Sequence, residues 1–448
     1  MSRMIIRSIL ALSAVLMLSL MLAAPMASAS TTALAPAWNE GDAWAVGKTM
    51  DLDAEFAQEL QDLEEMLEQS TDPANLVVNE FDIQAMASAY ALFKVDTVSD
   101  TEVHLKGSFA AKFTGDASVS ITADMEKPGV WDWDDDIMTE SRTASADVEL
   151  AMAMVLEVEA VLEKDTAAVK SITISIKASL SGSAVLVNIP REESNWSTHS
   201  IFYEDYDVSA DLNVFMTYDI QFQPSLNIFD FPLAVGDEWV IESTAVMSGT
   251  YGGTVDITGL PEDMEDDLFA NEMLQEAGID SFPIDLAQVI QNSDEPAMNN
   301  GVIGPESVVI GPATLNCVSV EQITLPEQGV VSKYTIRTDA DTEFYYIDGV
   351  DLLTGMQEVA DEMGLIDELP VDLPVDSEML TMDSVSADDA EQGIQDIADY
   401  RAQIAGESTS DGGGLDSDMM MLLLIIAVVA VVGVVAVVLL MKRKPKVP

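Results

Sequence analysis

The stretch that decides the fold is residues 148–162, which read VELAMAMVLEVEAVL. Every even-numbered position in it is apolar, whereas the odd-numbered positions include Glu149, Glu157 and Glu159. Successive side chains of a β-strand point to opposite faces, so an apolar residue at every second position predicts a long strand with one buried face. Ala, Met, Leu and Glu are also good helix formers, which makes a helix the alternative.

Neighbouring segments favour the strand. Residues 171–180 alternate Ser, Thr and Lys with Ile, Ala and Leu, and β-branched residues are typical of strands. The same period of two returns in residues 103–113 and 206–220. Consecutive long strands with one apolar face predict antiparallel sheets that need a cover. We therefore expect a β-dominated α+β fold, with each sheet a curved sheet or partial barrel. The covering helix is predicted at Leu52 to Leu67, where apolar residues recur at helical spacing.

A short phrase occurs twice in the chain. Residues 36–44 read PAWNEGDAW and residues 231–239 read FPLAVGDEW, so both contain a Pro followed by Gly-Asp-x-Trp. Gly-Asp favours a tight turn, and the Trp is expected to begin a strand and anchor it in the core. We predict two tandem, related β-rich domains, residues 30–226 and 227–366.

This opening phrase resembles the first strand of many extracytoplasmic β-rich lipoprotein and surface domains. The resemblance covers about nine residues in each half of the chain. It implies no activity.

The two ends of the chain predict its topology. Residues 1–29 combine an arginine-containing start, an apolar stretch and a small-residue site, the pattern of a cleaved signal peptide. An uncleaved N-terminal anchor is the alternative. Residues 419–441 are apolar and uncharged, long enough for one transmembrane helix. The basic tail 442–448 marks the cytoplasmic side. We expect a single-pass plasma-membrane protein with its N-terminus outside and its C-terminus in the cytoplasm.

The part between these ends is strongly acidic. The chain has 79 Asp and Glu against 19 Lys and Arg, a formal net charge of −60. This charge argues against nucleic acid and anionic lipid heads as partners. It indicates adaptation to salty or cation-rich surroundings or to a crowded acidic cell surface, with specific cation binding as the alternative. Residues 367–418 are predicted to be an acidic stalk that holds the domains off the membrane.

The lone cysteine, Cys317, cannot form an internal disulfide, and we expect a buried thiol. An outside protein of this size without a disulfide suits an archaeal surface better than a secreted eukaryotic one.

Motifs of catalysis are not found in the sequence. It contains no P-loop, no dinucleotide fingerprint, no His-Glu-x-x-His and no Gly-x-Ser-x-Gly. The two histidines are His104, predicted on the polar face of a strand, and His199, predicted in a loop. We therefore expect no enzymatic activity and no cofactor. A membrane-tethered hydrolase is an alternative that requires one of these histidines in a cleft near Ser, Asp or Glu.

Two candidate sites are visible in the sequence. Asp132, Asp134, Asp135 and Asp136 alternate with tryptophans and are a candidate Ca²⁺ cluster. The EF-hand spacing and its Gly are absent, so the ordinary interpretation is a solvated acidic loop. Asn195 begins the tripeptide Asn-Trp-Ser, which is a candidate glycosylation site on the predicted outer side.

Two classes of function remain open beside the hydrolase. The first is a structural or binding ectodomain at the cell envelope, whose partner is an envelope protein or a glycan. The second is a carrier or chaperone-like module that holds a lipid or other apolar ligand. Its candidate lining is the apolar sheet face with Met152, Met154, Ala160, Ala178 and Ala184. Small residues there equally suit the close packing of a helix.

Overall fold

The fold is taken from a computed structural model. It describes residues 32–53, 74–132, 138–194, 198–260, 269, 281–287, 298–299, 301–325, 329–338, 343–348 and 383–406. The predicted signal peptide, transmembrane segment and basic tail lie outside these residues, and so does most of the helix predicted at Leu52 to Leu67. In the described ranges, no helix is long and apolar enough to cross a membrane.

The described residues form β-strands and one α-helix, so the prediction of a β-dominated fold is confirmed. The strands are β1 (Thr32–Ala33), β2 (Ala43–Asp51), β3 (Ala74–Val98), β4 (Glu102–Glu126), β5 (Gly129–Asp132), β6 (Thr139–Glu163), β7 (Val169–Ser194), β8 (Thr198–Leu226), β9 (Leu233–Ala234), β10 (Glu238–Thr258), β11 (Ile284–Asp285), β12 (Met298–Asn299), β13 (Val302–Leu325), β14 (Gly329–Thr338), β15 (Glu343–Asp348) and β16 (Asp383–Ser384). The helix, α1, spans Ala387–Ile404.

A single antiparallel sheet contains nearly all of these strands. Its order is β15-β14-β13-β10-β8-β7-β6-β4-β3-β2-β16, with the short strands β5, β11 and β12 attached beside this path. Strands β3, β4 and β6 have 25 residues each, and β8 has 29. Most strands in globular proteins have about 5 or 6 residues, and 25 residues correspond to a contour of about 80 Å. The sheet is therefore unusually long along its strands.

The alternating segment 148–162 lies inside β6, as its period predicts. β6 pairs with β4 from Glu102 opposite Glu163 to Glu126 opposite Thr139 without a register shift. A slip by one residue would exchange the two faces of the strand, so an apolar residue at every second position disfavours such a slip.

The predicted boundary at residues 226 and 227 falls between two hydrogen-bonded neighbours, β8 and β10. The largest buried cluster also takes side chains from both sides of that boundary, among them Val158, Tyr218, Trp239 and Tyr334. The two predicted halves therefore share one sheet and one core.

The two copies of Gly-Asp-x-Trp adopt the same turn. Gly41 has a φ of +91° and Gly236 a φ of +93°, a region that L-residues with a side chain rarely enter. The Asp42 carboxylate accepts a hydrogen bond from the backbone N–H three residues earlier, at 2.8 Å, and Asp237 does the same at 2.6 Å. Each turn delivers its Trp to the start of β2 or β10.

The strand beside each turn is also repeated. The N–H of Gly41 donates to the carbonyl of Val95 at 2.9 Å, and the N–H of Gly236 donates to that of Cys317 at 2.8 Å. Directly after Val95, and directly after Cys317, the strand pairing shifts register by a bulge. Val95 and Cys317 therefore occupy equivalent positions in the two halves.

Helix α1 lies within the predicted stalk, but it packs on the sheet. Ser386 caps its N-terminus by accepting a hydrogen bond from the N–H of Asp389 at 3.1 Å. The helix crosses β2, β3, β4, β6 and β7. At about 1.5 Å per residue its 18 residues extend about 27 Å, enough for about five strand spacings. This part of residues 367–418 therefore does not extend away from the sheet as a stalk would.

The face that α1 covers is the odd-numbered face of β6, not the apolar even-numbered one. Ile397 packs there with Ala110, Ala153 and Val155. The reason lies in the sequence, because residues 151, 153 and 155 interrupt the glutamates of the odd face with Ala, Ala and Val.

Candidate functional site

One end of the sheet brings the two candidate sites of the sequence together. Asp132 ends β5 and lies opposite Thr198, the first residue of β8. Thr198 follows the tripeptide that begins at Asn195, so the acidic segment and the glycosylation sequon adjoin the same strand pair. Asp132 is exposed. Residues 134–136 and Asn195 itself lie outside the described residues.

At this end β6 and β7 no longer pair, because their ladder stops at Ser145 opposite Val187. In the strand order β4 and β8 are three spacings apart, about 14 Å in a flat sheet. Nevertheless Glu126, the last residue of β4, contacts two residues of β8. Its Oε2 lies 2.7 Å from Nε2 of His199, and its carbonyl accepts a hydrogen bond from the hydroxyl of Tyr203 at 2.8 Å. We call Glu126, β5 and residues 198–203 the β5–β8 tip.

The interior of the β5–β8 tip is a polar network on a small apolar core. His199 is buried, and its ring therefore lies with the Glu126 carboxylate inside the tip. The guanidinium of Arg142 stacks 4.3 Å from the centre of the Tyr203 ring, and its Nε donates to Glu140 at 2.8 Å. Beneath these groups lies a buried cluster of Ile121, Ala123, Met125 and Ala144. Such contacts hold the base of both segments rigidly.

Trp131 lies on β5 opposite His199. Its indole Nε1–H is buried and has no acceptor among the described residues. Buried indole N–H groups ordinarily have a hydrogen-bond partner. Trp131 therefore brings to the tip a donor whose acceptor is not among the described residues.

The described residues contain no group of side chains that supports the metal hypothesis or the hydrolase hypothesis. In the part of the chain that the structure describes, no three His, Cys, Asp or Glu side chains are grouped to hold a metal ion. His104 is partly exposed, with Nε2 3.7 Å from Glu102. Neither histidine lines the crevice described below between β7 and β8. Both hypotheses stay predictions.

The residues named for a carrier lie on one face of the sheet but differ in exposure. Ala160 is buried in the large core cluster, whereas Met154, Ala178 and Ala184 are half-buried. Met152 is 43% exposed, although it belongs to the apolar face. We call the region around Met152, between the large core and the core of the tip, the open face. It is a surface rather than an enclosed cavity.

The chain matches no protein-family model, no curated protein and no solved structure. The function must therefore be argued from the geometry of this chain.

Proposed function

We propose that the chain is a single-pass protein of the cell envelope, whose sheet lies outside the cell and has a structural or binding role. The observation that carries this proposal is the β5–β8 tip. There the acidic segment that follows β5 and the glycosylation sequon that precedes β8 adjoin the same strand pair. Binding residues are often found on loops that a rigid scaffold positions. The signal-peptide pattern and the apolar C-terminal run support the placement outside the cell.

The partner is an envelope protein or a glycan. With a net charge of −60, the surface disfavours anionic partners and favours neutral or basic ones. Strands of 25 residues and more hold the tip far from the opposite end of the sheet, which suits display over a distance. In this proposal Ca²⁺ at Asp132 and its neighbours and a glycan at Asn195 would both act at the tip.

The placement outside the cell is tested by cysteine labelling. Val130 on β5 is exposed, whereas the native Cys317 is buried and serves as an internal background control. In intact cells of the native source, we expect a membrane-impermeant maleimide to label Val130→Cys but not the parent protein. Labelling of Val130→Cys only after lysis would refute the placement.

The role of the tip is tested by crosslinking from two exposed valines. A photo-crosslinker is attached at Val130→Cys and, as a matched control, at Val309→Cys on β13, which is also exposed. We expect a discrete adduct with an envelope component from position 130 and none from position 309. Equal adducts from both positions, or adducts from 309 alone, would contradict a binding role of the tip.

A carrier of an apolar ligand is the second candidate, and the open face is the observation that favours it. Exposed methionines on an apolar surface adapt to varied apolar ligands. Native mass spectrometry of the full chain in detergent should then detect a bound lipid at one per chain. Met152→Glu should remove it. Met86→Glu should not, because Met86 is 52% exposed on the other face of the sheet. Equal retention in both variants would exclude the open face as the site.

A further inference from the structure

A crevice lies at the end of the sheet that is remote from the β5–β8 tip. It forms where the pairing of β7 and β8 slips, between Val169 opposite Leu226 and Ser171 opposite Gln221. In this interval four residues of β8, 222–225, are matched by one residue of β7, Lys170. The crevice of about 720 Å³ lies beside this interval.

A carboxylate is fixed within this crevice from two sides. Glu163, at the end of β6, accepts a hydrogen bond on Oε1 from the hydroxyl of Ser225 at 2.7 Å. Its Oε2 accepts from the hydroxyl of Thr166 at 2.9 Å. Thr166 and Ser225 both line the crevice. A carboxylate has about four acceptor positions, so Glu163 keeps acceptor capacity in a fixed orientation.

Donors stand next to this acceptor. Lys170 lines the crevice, and its ammonium pairs with Oε1 of Glu102. This pairing and the nearby charge of Glu163 raise the pKa of Lys170, so it stays charged. An ammonium has three donors, and the pair with Glu102 uses one of them. Donor and acceptor groups therefore converge on one space.

Asn227 adds an unsatisfied acceptor. It lines the crevice, but its Oδ1 is buried and accepts no hydrogen bond from the described residues. Its Nδ2 is held only by a long contact of 3.4 Å to Asp230. A buried acceptor without a donor is unfavourable. Rotation of this amide towards a hydroxyl in the crevice would give the oxygen its partner.

We propose that this crevice binds a neutral polyhydroxylated ligand, a single sugar unit. Hydroxyl groups both donate and accept, so one ligand meets Glu163, Lys170 and Asn227 together. The fixed carboxylate and the acidic chain disfavour an anion, and Lys170 disfavours a cation. The buried ring of Phe222 supplies an apolar wall, as ligand sites commonly have. The inference does not depend on membrane anchoring or on the tip.

The test compares two asparagines of the same kind. Asn213 on β8 also has a buried Oδ1 without a donor in the described residues, but it lies outside the crevice. The full chain in detergent is titrated with glucose, galactose, mannose and, as a charged probe, choline, and binding is measured by saturation-transfer NMR and calorimetry. We expect millimolar or tighter binding of at least one sugar. Asn227→Leu should weaken it about tenfold or more, because a ligand hydrogen bond is lost.

The controls keep the outcome decisive. Asn213→Leu should leave the sugar affinity unchanged, and Asn227→Leu should unfold at no lower a temperature than the parent. Thr166→Val removes one hydrogen bond to Glu163 and should weaken the binding of the same sugar. This variant provides the test if Asn227→Leu fails to fold. No sugar binding by the parent chain, binding of choline alone, or equal losses in the Asn213 and Asn227 variants would overturn the proposal.

Discussion

Two matched leucines test whether the two halves of the chain unfold as one unit. Leu162 on β6 and Leu315 on β13 are each 1% exposed, and both belong to the largest core cluster. Leu→Ala removes three carbon atoms, about 2.4 kcal/mol at about 0.8 kcal/mol per buried methylene. The cavity left behind adds to this, so we expect a loss of about 3–4 kcal/mol in the free energy of unfolding. For a large unit this corresponds to a decrease in melting temperature of about 6 °C.

Differential scanning calorimetry of the full chain measures the effect. Because β8 and β10 pair within one sheet, we expect one transition, which both Leu162→Ala and Leu315→Ala lower by similar amounts. The control is Leu34→Ala, since Leu34 is 68% exposed and should change stability by less than about 0.5 kcal/mol. Two transitions, of which each core variant lowers only its own, would refute the shared core and favour independent domains.

Three further predictions concern single positions. Cys317→Val should change the free energy of unfolding by less than about 1.5 kcal/mol, because Val95 occupies the equivalent position in the other half. Burial raises the pKa of the Cys317 thiol to about 11. Thiol reagents at pH 8 should therefore react with it only after unfolding. Ile397→Ala should cost about 2–5 kcal/mol and expose α1 to proteolysis before the sheet, which limited digestion detects; unchanged digestion would contradict the packing of α1. Burial raises the pKa of Asp348, so the folded state binds more protons and stability falls as pH rises from the ordinary pKa of Asp through the raised one. Asp348→Asn should remove that slope in denaturant titrations at a series of pH values, and an unchanged slope would assign it to other groups.

The strands and local turns could be predicted because their information is local. Residues 148–162 carry their own period of two, which predicts the strand and its buried face. Gly-Asp-x-Trp predicts a turn from four residues, and both copies form it with the same hydrogen bonds. In these cases the signal lies within the segment itself.

Contacts at the tip could not be predicted in this way. Glu126 meets His199 across 73 residues and Tyr203 across 77, and both contacts form beyond the point where β6 and β7 stop pairing. The position of α1 was also missed, although the signal was present. The uncharged residues at positions 151, 153 and 155 allow a helix to pack on the odd-numbered face. The surrounding glutamates nevertheless dominate the pattern. The slip that opens the crevice at Lys170 does leave a mark, because Pro224 interrupts β8 there, but a proline alone does not predict which residues line the crevice.

The negative charge resolves a difficulty that so long a sheet creates. Val240, Val302 and Val309 are exposed on the outer face of β10 and β13, where nothing in the described part of the chain covers them. Long sheets with exposed apolar residues tend to associate. A net charge of −60 makes two such surfaces repel each other. Lysines offset this charge only locally. Lys106, for example, lies 3.3 Å from Asp96 and 3.4 Å from Glu159. The same charge opposes folding within each molecule, and salt screens both effects. We therefore expect added salt to raise the stability of each molecule and to weaken the repulsion between molecules.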